Sequence, residues 1–387
     1  LLDVAWWALT RSWPVYPAAT HRDSGTTPTI SFRFGGKTKP VAHTTEYDFA
    51  TQVWPIKSGR PANPGMVLYA RVDGSFSVWD PARNYWRDAP SLGVATPDRP
   101  AAYHFNAEQV WNGLPSDSKD KPWCNGLLSD WAFWQNGRTD EYQQLEQALL
   151  ALSPSTDEKL VPGTLIEGIE ADDSRNIPTI KTSYGQEVPV VLASAGVKRI
   201  LAIAYLLVWA WHRHLQASKR MRQEPTRQIV FLLDEVEAHL HPRWQRTVLR
   251  SILRVMSELS GVDVEVQVLA ITHSPLVLAS LEPLFDSNQD ALWNLNLENG
   301  LISARREMWR RRGDANAWLV SDIFDLREPR SLEAEEAMTQ AEEMMRHKQA
   351  SIDDFHEVRE KLRACLPDVD PFWVRFRFWA HEAGLLR

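Results

Sequence analysis

Ile229-Val-Phe-Leu-Leu-Asp-Glu235, continued by Val236-Glu-Ala-His-Leu-His-Pro242, decides how the rest of the chain is read. The run from Gln228 to Leu233 is continuous, β-branched and apolar, which predicts a strand covered on both faces. Two carboxylates follow it directly. A carboxylate held against apolar surroundings bears a desolvation cost unless a cation or hydrogen bonds offset it. Phosphoryl transfer uses such a pair: one acid organises magnesium and its waters, and the other orients or deprotonates the attacking water. Asp234 suits the magnesium role and Glu235 the water-activating role. The plainer reading is a pair of solvated acids opening a loop.

Working downstream, residues 244–259 have helical periodicity. Val264-Glu-Val-Gln-Val-Leu-Ala-Ile271 then reads as a second strand ending at Thr272-His-Ser-Pro275, and a helix restarts over 276–281. Strand, loop, helix, strand and loop in that order describe an α/β nucleotide-binding core, and no internal repeat competes with it. Upstream, Leu192-Ala-Ser-Ala-Gly-Val-Lys-Arg-Ile-Leu201 leads into a long helix beginning near Ser194. There the Ser194 hydroxyl and the closely approaching backbone at Gly196 can contact phosphate from a helix N-terminus, with Lys198 and Arg199 adding positive charge. An ordinary serine-capped helix is the alternative. Taken alone, His273 fits a helix cap or a hydrogen bond in the core.

The N-terminal residues 1–12 predict a buried helix. Residues 27–34 alternate like a strand, and 66–72 turn at Asp73-Gly74 into 75–79 as a hairpin. Residues 97–155 are Trp-rich and helical, notably 127–135 and 142–152. Short strands follow at 164–169 and 179–182 before a glycine turn at Gly185. A helix is expected over 314–324, charged helices over 331–365 with a bend at 351–354, and an aromatic, basic segment over 372–386 that packs back or meets a partner. Four regions result: an N-terminal lobe with antiparallel strands (1–95), a helical region (96–215), a core (216–310) and a C-terminal helical packing or partner region (311–387).

Bulk properties exclude more than they assign. A chain of 387 residues with 44% hydrophobic and 24% charged residues has ample core for one large domain or two ordinary ones. The net charge of −7 argues against a general nucleic-acid coat, while a local surface stays open. Cys124 and Cys365 lack metal-ligand spacing and suit a reducing compartment. The 18 tryptophans are spread along the chain and read as packing anchors. The longest apolar run, 201–211, is too short to span the roughly 30 Å of a bilayer core, so direct membrane insertion is not expected. Nor does the N-terminus read as a signal peptide, having Asp3 inside its apolar stretch and no basic leader.

Residues 232–242 resemble the Walker B and adjoining D-loop region of ABC-type ATPases, especially the SMC-like, overcoming-lysogenization-defect-like and recombination or defence ATPases. The family commonly has Pro where this chain has Val236, a departure that leaves both acids in place. In that resemblance 192–201 is the signature loop, although it departs from Leu-Ser-Gly-Gly. Thr272-His-Ser is the switch region, with His273 placed to sense or stabilise the γ-phosphate. The implied fold is an α/β P-loop NTPase head of ABC type with an antiparallel sheet and a helical insertion. Its implied cofactors are ATP and Mg2+, held by Asp234 through water, with Ser194, Gly196 and Lys198 acting on ATP bound by a second head. The implied setting is a bacterial cytoplasm. The implied partners are a second copy or paired head and a separate effector nuclease or other defence protein.

Gln109 is the first candidate for the Q-loop glutamine and Gln135 its rival. His239-Leu-His241 lacks a third ligand for zinc and suits D-loop contacts better. The phosphate-binding Gly-x-x-x-x-Gly-Lys-Ser/Thr is not found. Gly36-Lys37-Thr38 has Ser31 where the first glycine belongs, a strand through the supposed loop and Pro40 against an immediate helix. Residues 1–10 resemble the helix that follows a P-loop, so the loop itself is expected upstream of Leu1. Gly313-Asp-Ala-Asn-Ala317 resembles a distal part of bacterial defence ATPases but equally suits a cap or turn. No Toprim-like pattern follows the core. The expected function is ATP-dependent head pairing and hydrolysis that control a defence or DNA-maintenance assembly; the alternative is a nucleotide-controlled structural or sensor module without efficient turnover.

Overall fold

The computed structural model describes residues 1–20, 27–34, 41–56, 63–84, 100–116, 121–183, 185–261, 263–298, 300–346 and 351–386. The rejected phosphate-loop candidate at 36–38 lies outside them. Two compact units divide the chain, residues 1–280 and 281–387. The first contains the regions read from sequence as N-terminal and helical and most of the core.

In chain order the first unit opens with helix α1 (Leu2–Thr10) and strands β1 (Thr29–Phe34) and β2 (Val41–Glu46), then β3 (Met66–Ala70), β4 (Phe76–Trp79) and β5 (Tyr103–Phe105). Helices α2 (Ala107–Asn112), α3 (Leu127–Gly137) and α4 (Asp140–Ala151) follow, then strands β6 (Val161–Glu167), β7 (Asn176–Lys181) and β8 (Glu187–Pro189). Helix α5 (Ala195–Arg220), strand β9 (Gln228–Asp234), helices α6 (Pro242–Gln245) and α7 (Val248–Ser260), strand β10 (Glu265–Ile271) and helix α8 (Pro275–Leu281) complete it.

The central sheet has the order β10-β9-β3-β4-β5. Strands β3, β9 and β10 run parallel, and β4 and β5 alternate antiparallel from β3, so the sheet is mixed. Two antiparallel sheets, β1-β2 and β6-β7-β8, accompany it. Such an α/β architecture with antiparallel and helical additions is the expected class. The β3–β4 connection forms at Asp73-Gly74 because Gly74 takes a positive φ of 81° and the Asp73 carboxylate accepts the Ser75 N–H at 2.9 Å.

Strand β9 is buried from Ile229 to Leu233, since α1 covers one face through Leu2 and Trp6 while Phe76 meets Phe231 edge-on across the other, ring centroids 6.2 Å apart. Helix α5, 26 residues and hence about 39 Å long, threads the unit with Ile200, Leu201 and the stretch 203–211 buried. It carries two buried polar groups that fix its neighbours. His214 Nδ1 lies 2.7 Å from Asp80 Oδ1 while its Nε2 accepts the Thr226 N–H at 2.8 Å, so the ring is the Nδ1–H tautomer and ties the end of β4 to the approach to β9. Farther up the helix, Tyr205 donates to Asp130 Oδ2 at 2.8 Å and lies 2.9 Å from Cys124 Sγ. Burial pushes that thiol up to about 12, which makes it a packing group.

The expected helix over 244–259 is two helices, interrupted at 246–247. In the second unit strands β11 (Leu292–Glu298) and β12 (Leu301–Glu307) form an antiparallel hairpin, followed by helices α9 (Ala315–Leu319), α10 (Leu332–Arg346), α11 (Ile352–Cys365) and α12 (Phe372–Glu382). The helix expected over 314–324 is shorter than its periodicity implied, because Ser321 bonds back to the Trp318 carbonyl and the chain turns. Asp314 caps α9 through the Ala317 N–H at 2.8 Å, and Glu282 Oε1 accepts the N–H groups of Arg312 and Gly313, so the segment at 313–317 is built as a turn and a cap. Phe355, Leu362, Trp373 and Phe376 form the core of the last three helices.

Candidate functional site

Parallel strands present their carboxyl ends to one edge of a sheet, and connecting loops gather there. At that edge β3 ends before Arg71 and Val72, β9 ends at Asp234, and β10 ends at Ile271 in register with Asp234. The acidic pair and the 272–275 loop are therefore brought together by strand pairing alone. Glu235 donates its N–H to the Ile271 carbonyl at 3.0 Å, so the β9–β10 pairing extends one residue past the strand. Immediately afterwards the chain turns sharply, with Glu235 at φ 45°, a left-handed conformation that costs a non-glycine residue of order 1–3 kcal/mol.

His273 Nε2 lies 3.4 Å from Glu235 Oε1, the imidazole largely exposed and the carboxylate partly so. Asp234 is half-buried, and its carboxylate receives no hydrogen bond or ion pair among the described residues. An open carboxylate at a strand end fits hydrated Mg2+, which takes one or two protein carboxylates and fills the remaining positions with water and phosphate oxygens. Glu237 is buried. Its Oε1 accepts both the Thr272 hydroxyl and the His273 N–H, the latter at 3.0 Å, whereas its Oε2 has no hydrogen-bond partner among the described residues. Ser274 donates to Gln245 Oε1 at 2.8 Å and caps α8 through the Val277 N–H. The 272–275 loop is thus held by side chains from the 235–241 turn and from α6.

The beginning of α5 lies against the same turn. Ser194 is exposed and caps the helix, its Oγ accepting the Val197 N–H at 3.4 Å. Gly196 is buried, and a Cβ there would stand 2.8 Å from the His239 carbonyl oxygen, so in this structure the glycine is required by the close approach of the turn. Lys198 is half-buried and its amine has no hydrogen-bond or ion-pair partner among the described residues. Arg199 does have partners: its guanidinium donates to the carbonyls of Val72 (2.8 Å), Asp234 (3.2 Å), Glu235 (3.0 Å) and Val236 (3.2 Å).

Gln109 sits elsewhere on this edge. It follows β5, three strands from β9 and so roughly 14 Å away, and its side chain closes a capping box with Asn106. The rival Gln135 donates to the Gly163 carbonyl at 2.7 Å and accepts from Trp131. His241 Nδ1 accepts the Arg243 N–H and starts α6, and among the described residues no three His, Cys, Asp or Glu side chains converge as a metal site. The sequence marks Arg199 only as a general positive charge and gives Glu237 no role. Nothing in local sequence marks an arginine whose partners are backbone carbonyls.

Residues 70–279 match the family model described as "AAA domain, putative AbiEii toxin, Type IV TA system", more than half of the chain and the whole of the edge just described. The chain belongs to this AAA-domain family. Membership assigns it to the nucleotide-binding ATPases at family level and agrees with the mixed α/β sheet. Solved SMC structures are more distantly similar. The SMC head domain from Thermotoga maritima is 10% identical with a TM-score of 0.35, covering 80% of this chain and 85% of that one. A chain from work on ATP-driven dimerization and DNA-stimulated activation of SMC ATPases is 15% identical with a TM-score of 0.30, covering 46% and 88%. The Smc head domain of Pyrococcus furiosus, with an extended coiled coil and bound to the C-terminal domain of ScpA, is 15% identical with a TM-score of 0.27, covering 43% and 35%. These superpositions are weak, and the assignment rests on the family match.

Proposed function

We propose that this AAA-family chain supplies the Walker B acids, switch histidine and signature loop of an ATPase head that pairs with a second head around ATP and hydrolyses it. The observation that carries the reading is the convergence of an open Asp234 carboxylate with the Glu235–His273 pair at 3.4 Å on the carboxyl edge of parallel strands. Bound Mg2+ would supply charge neutralisation for the phosphate oxygens. Asp234 would hold the ion through water, Glu235 would take the proton of the attacking water, and His273 would fix the Glu235 carboxylate and offer a directed donor toward the γ-phosphate. The exposed end of α5 at Ser194, with Lys198 nearby, would meet the phosphates bound by the second head. In the present conformation a Q-loop role for Gln109 requires its capping box to open.

The 387 residues contain no Gly-x-x-x-x-Gly-Lys-Ser/Thr. We place the phosphate cradle on a further parallel strand beside β10, which among the described residues pairs only with β9 and is half-exposed along its length, next to the loop that carries His273. Paired heads would control a bacterial defence or DNA-maintenance assembly in the cytoplasm through a separate effector, such as a nuclease, with nucleic acid a further candidate ligand. Among the described residues no helix is long and apolar enough to cross a membrane.

Replacing Glu235 by Gln in the full-length protein tests the reading. ATP turnover is expected to fall by a factor of about 100 or more, as loss of a general base implies, with nucleotide binding and pairing retained. Unchanged turnover would remove Glu235 from the chemistry. Binding and pairing without turnover in the unmodified protein would support instead a nucleotide-controlled sensor module.

A further inference from the structure

We propose that Arg199 is a positioning residue that sets the conformation of the 234–236 turn, with Glu237 fastening the other side of that turn to the 272–273 loop, so that the start of α5 and the Glu235–His273 pair shift together. The brace itself is read from geometry; its catalytic consequence rests on the function proposed above.

A guanidinium carries five N–H donors in a rigid fork. Here that fork meets four carbonyl oxygens, three of them from consecutive residues, Asp234, Glu235 and Val236, and one from Val72 after β3. Three successive carbonyls reach one group only because Glu235 adopts a left-handed conformation and the backbone folds over itself. Such a turn is unfavourable for glutamate, and charge-assisted hydrogen bonds from Arg199 offset the strain. Burial works against the arginine's charge, while the carboxylates of Glu237, Asp234, Asp73 and Glu235 favour it, Glu237 foremost.

Glu237 completes the brace from the other direction, holding Thr272 and the His273 N–H through one oxygen. Three residues before Arg199, Gly196 brings the first turn of α5 against the His239 carbonyl, so the helix touches the 234–239 turn at two points. A ligand that engages Ser194 and displaces the end of α5 must therefore drag the carbonyls on which Glu235 is mounted. Lysine cannot substitute, because an ammonium is a point charge that cannot serve a row of carbonyls on both sides of a fork.

The test uses full-length protein with Arg199→Met, Arg199→Lys and Glu237→Gln, read first by amide hydrogen exchange without nucleotide. Arg199→Met should raise exchange over 234–240 by about tenfold or more, as loss of several hydrogen bonds from a charged donor implies, while β6–β8 stays at its unmodified rate. Arg199→Lys should restore little of this protection, and Glu237→Gln should loosen 272–274 in preference to 234–236. If Arg199→Met melts the whole unit, Arg199→Lys carries the reading: a rise confined to 234–240 supports it. Unchanged exchange there in the lysine variant overturns it. In turnover assays kcat should fall with nucleotide affinity held within about twofold, since only the mounting of Glu235 is lost; weakened affinity with kcat retained would make Arg199 a binding residue and overturn the proposal. Absence of turnover in the unmodified protein removes the ATPase reading while the exchange measurement still decides the brace.

Discussion

Strands β9 and β10 are parallel neighbours of seven residues each, paired from Gln228 with Glu265 to Asp234 with Ile271, and each ends in a loop bearing site residues. Their surroundings differ. Strand β9 lies between two strands and is buried from Ile229 to Leu233, whereas among the described residues β10 pairs with β9 alone and no residue in it is fully buried. One consequence is a difference in mounting: the acidic turn sits on a strand locked by its neighbours and by Arg199, while the 272–275 loop depends on hydrogen bonds that it donates to the Glu237 and Gln245 side chains. The backbone of the acidic turn is fixed by the core, whereas the backbone at His273 is held by polar contacts.

The largest effect expected from breaking this contrast is in β9. Phe231→Ala removes a fully buried ring and should cost about 3–5 kcal/mol in urea unfolding; Val268→Ala in β10, half-buried, should cost only about 1 kcal/mol. Equal costs would mean that the edge of β10 is as well packed as the centre. Next, Gly196→Ala drives a Cβ against the His239 carbonyl and should destabilise the first unit by about 1–3 kcal/mol, the range for overpacking. A neutral result would show that α5 can lift from the turn without cost.

A smaller, pH-dependent effect concerns the approach to β9. Burial alone would raise the Asp80 pKa, but the hydrogen bond from His214 and the charge and hydrogen bond of Arg83 outweigh it and hold the carboxyl below its ordinary value. The sign follows: a carboxyl with a depressed folded pKa contributes stability that is fully present above the unfolded value near 4 and is lost as pH falls through the folded one. Unfolding midpoints should therefore drop on acidification below about pH 4. Asp80→Asn should flatten that dependence, and an unaltered acid limb would discount the pair as an anchor of β9.

Much of this was legible in the chain. The apolar run before Asp234 specified a doubly covered strand, the Asp73-Gly74 pair specified the hairpin turn, and the order of Ser194, Asp234-Glu235 and His273 matched the elements that carry them. The β11–β12 hairpin was missed although Asn299-Gly300 lies between its alternating arms. Trp293, Leu297 and Ile302 on it are exposed, so its pattern does not sort apolar residues inward as a strand signal should. The split between α6 and α7 escaped because a periodicity of 3.6 persists across a two-residue irregularity.

Local chemistry, then, was determined by the sequence itself: which residues are acids after a strand, which serine can cap a helix, and which runs must be buried. Only tertiary structure decided what those residues face. Gly196 owes its small size here to the His239 carbonyl, Gln109 spends its side chain on a cap, and Arg199 and Glu237 hold backbone groups that lie up to 127 residues away in the chain. Burial and periodicity are properties of neighbouring residues and can be read along a chain, whereas a hydrogen bond to a distant carbonyl leaves no pattern in the residue that accepts it, because every residue has one.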